Sequence, residues 1–246
     1  MTRITIEADA FDAWLFDLDG VITDTASVHA RAWKRAFDDF LEGEHGPGFR
    51  PFAIDPDYVR FVDGKPRYEG VDSFLRSRGL ELDWGTPDDA AGERTVCGVG
   101  NAKNVLFNQV LDEDGVEVFA SSVALIERLR ARGTAIAVVT SSKNCDRVLE
   151  AAGLGHLFDT RLDGNVAAEQ RLAGKPAPAT FEAAARALQA PPSRAVVIED
   201  ALAGVAAGRA GGFGLVVGVA RHDDQEALRA GGADIVVDDL GTLVLA

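Results

Sequence analysis

Two aspartates two residues apart, Asp17 and Asp19, stand in the run Phe16-Asp17-Leu18-Asp19-Gly20. On an extended segment both side chains face one side while Leu18 faces the other. Carboxylates that close repel and resist joint ionisation. A divalent cation removes the conflict. Glu199 and Asp200, at the end of a distant apolar run, would complete with Asp17 and Asp19 an oxygen-rich site suited to Mg²⁺. A single Asp-x-Asp is ordinarily a turn or a helix cap. A turn alone does not account for acids at two strand ends together with the glycine at position 20.

Two further clusters lie elsewhere. Thr140-Ser141-Ser142-Lys143-Asn144 follows one apolar run and precedes a helical pattern. In a strand-to-helix turn the hydroxyls and free backbone N–H groups of Thr140 and Ser141 would hold a phosphate. Ordinary helix capping by Ser142 or Asn144 is the alternative that the spacing leaves open. Lys175, in Ala173-Gly174-Lys175-Pro176-Ala177-Pro178, sits in a loop before a helix. A lone lysine is usually a solvated charge. Beside the other clusters it becomes a fixed cation that offsets carboxylate and phosphate charge. Such a local cation is needed because the chain carries a net charge of −14. That charge repels nucleic acid and anionic membrane surfaces, so neither is an expected partner.

The elements that must position these residues are short apolar runs: Ala13–Phe16, Ala135–Val139, Ala195–Ile198, Leu215–Val219 and Ile235–Val237. None alternates with polar residues, which predicts parallel strands covered on both faces. Helical patterns separate them, at Ser122–Arg132 and near 146–152, 178–188 and 201–210. Strand–helix alternation predicts an α/β fold, a doubly wound parallel sheet, with every strand's carboxyl end along one edge. The three polar clusters would meet there. The stretch between about 26 and 114 breaks the rhythm. His29–Leu41 reads as a helix with Ala30, Trp33, Phe37 and Phe40 on one side, and a Gly/Pro-rich loop and further helical segments follow. An inserted helical cap domain over 26–114 is expected, with residues 1–25 and 115–246 forming the catalytic core.

Composition agrees with an enzyme in the cytoplasm. The 246 residues are 47% hydrophobic, enough for a real core, yet no apolar run is long enough to span a bilayer. The start, MTRITIEADAFD, lacks the apolar centre of an export signal. Cys97 and Cys145 lie far apart without metal-ligand spacing, as in a reduced compartment. A monomeric cytoplasmic protein acting on a small molecule is expected.

In order, Asp17-Leu18-Asp19-Gly20, Thr140 after an apolar strand, Lys175 before Pro176, and Glu199-Asp200 resemble the four signatures of the haloacid dehalogenase-like phosphotransferase superfamily. The likeness covers Ala13–Thr25 and most of Glu117–Val237. It implies that Asp17 attacks phosphorus to form an aspartyl-phosphate and that Asp19 serves as acid and base. Within the superfamily, the run from Asp17 to Ala26, then His29, then Arg31-Ala32-Trp33, is most similar to the sugar-phosphate mutase branch. Sugar phosphatases more often carry Thr-Leu after the glycine and a serine where Thr25 stands. That branch interconverts β-glucose 1-phosphate and glucose 6-phosphate through a bound bisphosphate. The resemblance implies that Thr25 and His29 position Asp19 and couple it to cap closure. It also places Ser142 and Asn144 near the transferring phosphate and Arg67 on the non-reacting phosphate. The branch's cap lysine falls on Asp63, a departure for which Lys65 is the candidate substitute. Lys103-Asn104 resembles a further cap motif. Two other readings are a sugar-phosphate phosphatase and an inactive sugar-phosphate-binding regulator. Against the second, Asp17, Asp19 and Asp200 are all present. A nicotinamide-binding fold is disfavoured, since no G-x-G-x-x-G follows the first strand.

Overall fold

Runs of valine, isoleucine and alanine make the expected strands, because β-branched side chains pack well on a pleated surface buried on both faces. The structure, a computed structural model, describes residues 3–62, 65, 67–221 and 224–246. Its strands are β1 (Ile4–Ile6), β2 (Ala13–Phe16), β3 (Ala135–Val139), β4 (Thr160–Leu162), β5 (Ala195–Glu199), β6 (Leu215–Val219), β7 (Ile235–Val237) and β8 (Leu243–Leu245). Six form one sheet in the order β4-β3-β2-β5-β6-β7, and every pair in it is parallel. From β2 the chain first moves outward through β3 and β4, then returns to β5 on β2's other side. That reversal creates a crevice at the carboxyl ends of β2, β3 and β5.

Register brings those three ends level. Phe16 pairs with Val138 on one side and with Ile198 on the other. All four residues of β2 are buried. Ala13, Leu15, Ala137, Val139, Ala195 and Val197 share a core layer with Phe181, Ala184 and Val205 from covering helices. Trp14 and Phe16 point to the opposite face, their rings stacked at 6.4 Å. The sheet is therefore a doubly covered, rigid base for its edge. Three strands escaped the sequence reading: β4, and β1 with β8, which pair in a separate two-stranded parallel sheet. β4 reads Thr-Arg-Leu and β1 Ile-Thr-Ile, without the unbroken apolar run that marks the equally short β7.

The chain divides into two compact units, Met1–Asp24 with Val116–Ala246, and Thr25–Gly115. The second is helical. Its main elements are Thr25–His45, Arg67–Ser77 and Val96–Asp114. The first runs longer than His29–Leu41, the stretch its apolar period predicts. Val96–Asp114 starts where the Thr95 side chain accepts from the Gly98 N–H at 2.9 Å, a capping signal the sequence carried. This unit has its own core of Trp33, Phe37, Leu41, Phe52, Phe74 and Val99, with Phe37 and Phe74 ring centres 4.1 Å apart. Beside it Arg78 and Asp57 form a buried ion pair at 2.6 Å. No helix among the described residues is long and apolar enough to cross a membrane.

Candidate active site

Asp17 extends β2 by one ladder bond, its N–H donating to Ile198 O at 2.9 Å. The chain must then turn sharply. Gly20 does so at φ +81°, where other residues are strained. The Asp200 carboxylate lies against the Gly20 Cα, in the space a Cβ would take. Gly204 leaves equivalent room for the Glu199 carboxylate. Gly20 lets Asp200, just beyond β5, approach the loop after β2, and Gly204 makes room for Glu199 at the end of β5.

Asp17, Asp19, Thr140, Ser141, Lys175, Glu199 and Asp200 line a single cavity of about 340 Å³. All three polar clusters read from the sequence therefore converge. Lys175 is their hub. Its Nζ donates to Asp17 Oδ1, to Glu199 Oε1 at 2.6 Å and to Val139 O at 3.1 Å. It also lies 4.8 Å from the Phe181 ring centre, with its side chain buried. Glu199 Oε2 accepts from the Ala201 N–H at 3.0 Å. Thr140 Oγ1 donates to Asp19 Oδ2 at 3.1 Å and accepts from the Ser142 N–H at 3.0 Å. The Ser142 hydroxyl accepts from the Asn144 N–H at 3.1 Å. These bonds close short turns within the 140–144 loop; Asn144, at the start of the helix Cys145–Ala151, makes no side-chain capping bond, and the Thr140 N–H donates to Leu162 O at 3.0 Å.

Charge is concentrated here, and burial decides how it is held. Burial pushes the Asp17 carboxyl well above its ordinary range; Lys175 opposes this, while Glu199, Asp19 and Asp200 add to it. Asp200 is pushed up to about 7, chiefly by burial and then by Glu199. Burial alone would lower Lys175, but Asp17 and Glu199 outweigh it and hold the ammonium above its usual range. One fixed cation thus stands among several carboxylates, leaving a deficit of positive charge. Oxygens of Asp17, Glu199 and Asp200 lie within 4.8 Å of one another. An all-carboxylate donor set with excess negative charge fits a hard divalent ion such as Mg²⁺. Asp19, expected in that group, is outside it, its carboxylate engaged by Thr140.

One support was missed by the sequence reading. Asp163, buried just after β4, accepts from the Asn165 and Val166 N–H groups, both at 2.9 Å. Asn165 Nδ2 then donates to Lys143 O at 2.9 Å, and Gly164 N–H to Ser142 O at 2.9 Å. This turn braces the 140–144 loop. Its signal was Asp163-Gly164-Asn165, a capping pattern hidden because β4 was not recognised.

The remaining candidates belong to the helical unit. His29 stacks on Phe107 at 4.4 Å, and Lys103 Nζ reaches His29 Nδ1 at 2.6 Å. Burial, then the charges of Lys103 and Arg67, hold the His29 pKa well below its usual value, so it is neutral near pH 7. Lys103 is 5% exposed and lies over the Trp33 and Phe107 rings, not on the solvated surface usual for lysine. Arg67 Nη2 donates to Asn104 Oδ1 at 2.9 Å. Lys65 instead meets Ser73 Oγ at 2.6 Å. Thr25 is buried at the start of its helix. Asp63 lies outside the described residues.

A family model described as haloacid dehalogenase-like hydrolase matches residues 11–212. The β-phosphoglucomutase of Mycobacterium tuberculosis is 48% identical over 238 residues, covering 94% of this chain and 91% of that protein. A crystal structure of β-phosphoglucomutase from Clostridium difficile superposes with a TM-score of 0.69 at 26% identity, covering 94% of this chain and 92% of its own. The trehalose-phosphate phosphatase of Mycobacterium leprae is 38% identical over 129 residues, which is 51% of this chain and 28% of that protein.

Proposed function

The chain belongs to the haloacid dehalogenase-like hydrolase family, and from that premise we propose that it acts as a β-phosphoglucomutase, interconverting β-glucose 1-phosphate and glucose 6-phosphate. The observation that carries this reading is the 48% identity to such an enzyme, which extends over both compact units.

In the proposed mechanism the Asp17 carboxylate attacks one phosphorus of a bound glucose bisphosphate, forming an aspartyl-phosphate as the bond to that sugar oxygen breaks and glucose 6-phosphate is released. Asp19, anchored by the Thr140 hydroxyl, gives its proton to that leaving oxygen. In the return step Asp19 takes a proton from the 6-hydroxyl of β-glucose 1-phosphate, which attacks the aspartyl-phosphate, freeing Asp17 and regenerating the bisphosphate. Lys175, held on Asp17 and Glu199, keeps a positive charge beside the reacting oxygens. Thr140 and Ser141 hold the transferring phosphate from the opposite wall, with Ser142 and Asn144 shaping the same loop. Bound by Asp17, Glu199 and Asp200, Mg²⁺ would neutralise charge on the phosphoryl oxygens and favour ionised Asp17. Arg67, a planar fork suited to phosphate, takes the non-reacting phosphate. Lys65 is its proposed companion. Thr25 and His29 are assigned to the same machinery as residues one turn apart on one helix.

The second reading is a sugar-phosphate phosphatase, favoured by the match to the trehalose-phosphate phosphatase. The two differ in whether sugar or water accepts the phosphoryl group. Supplying β-glucose 1-phosphate, Mg²⁺ and trace bisphosphate while following glucose 6-phosphate and free phosphate separates them. The mutase yields glucose 6-phosphate with little phosphate, whereas phosphate release without isomerisation would favour the phosphatase. Asp17→Ala should be inactive in either assay, and appreciable remaining activity would remove Asp17 as the nucleophile.

A further inference from the structure

The loop after β2 carries Asp17 and Asp19, and its shape rests on three successive carbonyls. Ser122 Oγ donates to Val21 O at 2.6 Å, and the Phe119 N–H donates to Ile22 O at 2.9 Å. The third, Gly20 O, accepts from Arg221 Nε at 2.6 Å. Arg221 comes from a different part of the chain, two residues beyond β6. Because β6 and β2 flank β5, its side chain reaches across the end of β5, where Asp200 sits. The guanidinium lies 3.6 Å from the Phe119 ring centre, a close stack that fixes its plane. Burial depresses the Arg221 pKa, and the charges of Asp200, Asp239 and Asp24 oppose that shift.

A full set of hydrogen bonds does not explain this arginine. Its Nη2 is buried without a hydrogen-bond partner among the described residues, which is costly, and a cation near Asp200 opposes metal binding by charge alone. What the arrangement secures is position. Gly20 is the residue against which the Asp200 carboxylate rests, so the grip on its carbonyl sets the gap between the Asp17 loop and Asp200.

We propose that Arg221, stacked on Phe119, is a positioning residue that clamps the Gly20 carbonyl and thereby fixes the spacing between Asp17 and Asp200. The inference rests on reading Asp17 and Asp200 as metal-holding groups of the proposed enzyme. Arg221→Lys keeps the charge and loses the planar fork; Phe119→Leu removes the stacking surface and leaves the backbone donor. Full-length variants would be tested by calorimetric titration with MgCl₂, and by kcat and KM for β-glucose 1-phosphate. Residues that orient metal ligands typically change affinity or activity by about 10- to 100-fold. Arg221→Lys should weaken Mg²⁺ about 10-fold and lower kcat similarly with KM little changed, and Phe119→Leu should act in the same direction. A fall in Tm with wild-type Mg²⁺ affinity and kcat in both variants would overturn the proposal, as would tighter Mg²⁺ binding in Arg221→Lys. Wild-type protein inactive on this sugar phosphate would sink the mutase reading alone, because the Mg²⁺ titration does not depend on it.

Discussion

Replacing Lys175 with methionine removes a charge while preserving most of the stem that packs by Phe181. The wild-type ammonium has three acceptors, Asp17, Glu199 and Val139 O. Its side chain is 8% exposed and those of Asp17 and Glu199 are 9% and 1% exposed, so solvent screens little. Removing one partner of such a buried pair costs about 3–5 kcal/mol. Without Lys175, Asp17 can remain buried only by taking up a proton. An ordinary aspartyl group near 3.8 requires about 1.6 kcal/mol for this at pH 5 and about 4 kcal/mol at pH 7. The deficit of Lys175→Met should therefore be near 4 kcal/mol at pH 7 and smaller at pH 5, by at most about 2–3 kcal/mol, since the wild-type Asp17 carboxyl is itself held above its ordinary range. The wild-type sign agrees: a lysine held above its usual pKa stabilises at every pH below about 10.5, and the gain is lost only as pH rises through the folded value. Urea unfolding in EDTA at both pH values measures the two deficits. Saturating MgCl₂, which favours the folded state by mass action, should narrow the gap at pH 7. A deficit below about 1 kcal/mol at pH 7, or one equal at both pH values, would refute the account of Lys175 as the buried counter-charge.

Other perturbations test other contacts. With Asp200 pushed up to about 7, a proton must leave before Mg²⁺ can bind, so affinity should rise up to about tenfold per pH unit towards neutrality and then level; a calorimetric affinity flat from about pH 5.5 to 7.5 would contradict this. In the metal-free protein the same raised pKa makes stability fall as pH climbs from about 4 to about 7, by up to about 4 kcal/mol, which urea midpoints in EDTA would report. Gly20→Ala combines a φ of +81° with a methyl group driven into the Asp200 carboxylate. It should cost about 1–3 kcal/mol or more and abolish turnover, and a fully active variant would show that Asp200 does not need its place beside Gly20. Lys103→Met removes a charge that lowers the His29 pKa, so NMR titration should find His29 moved upward yet still below its usual value because burial persists. A wild-type His29 that titrates normally would disprove the buried pair.

Asp17, Thr140 and Glu199-Asp200 were legible in the sequence because each follows a buried strand whose unbroken apolar run marks it, and Lys175 was legible only beside them. A parallel sheet places such strand ends on one edge, so their convergence follows from strand type alone. The inserted helical unit was legible for a related reason: between Thr25 and Gly115 the apolar spacing changes from continuous runs to a helical period. Thr160–Leu162, polar at two of its three positions, was not legible, and with it went the brace of Asp163 and Asn165 on the phosphate loop. What the sequence determined by itself was chemistry carried by local pattern: carboxylates and hydroxyls at the ends of apolar runs, and a lysine in a Gly/Pro loop before a helix. Only the tertiary structure decided which carboxylates share a site, that Asp19 faces Thr140 while Glu199 faces Lys175, that Lys103 is buried against His29, and that Arg221 reaches Gly20 from a fourth strand end. Those contacts depend on register and close approach between residues distant in the chain, for which no local spacing leaves a trace.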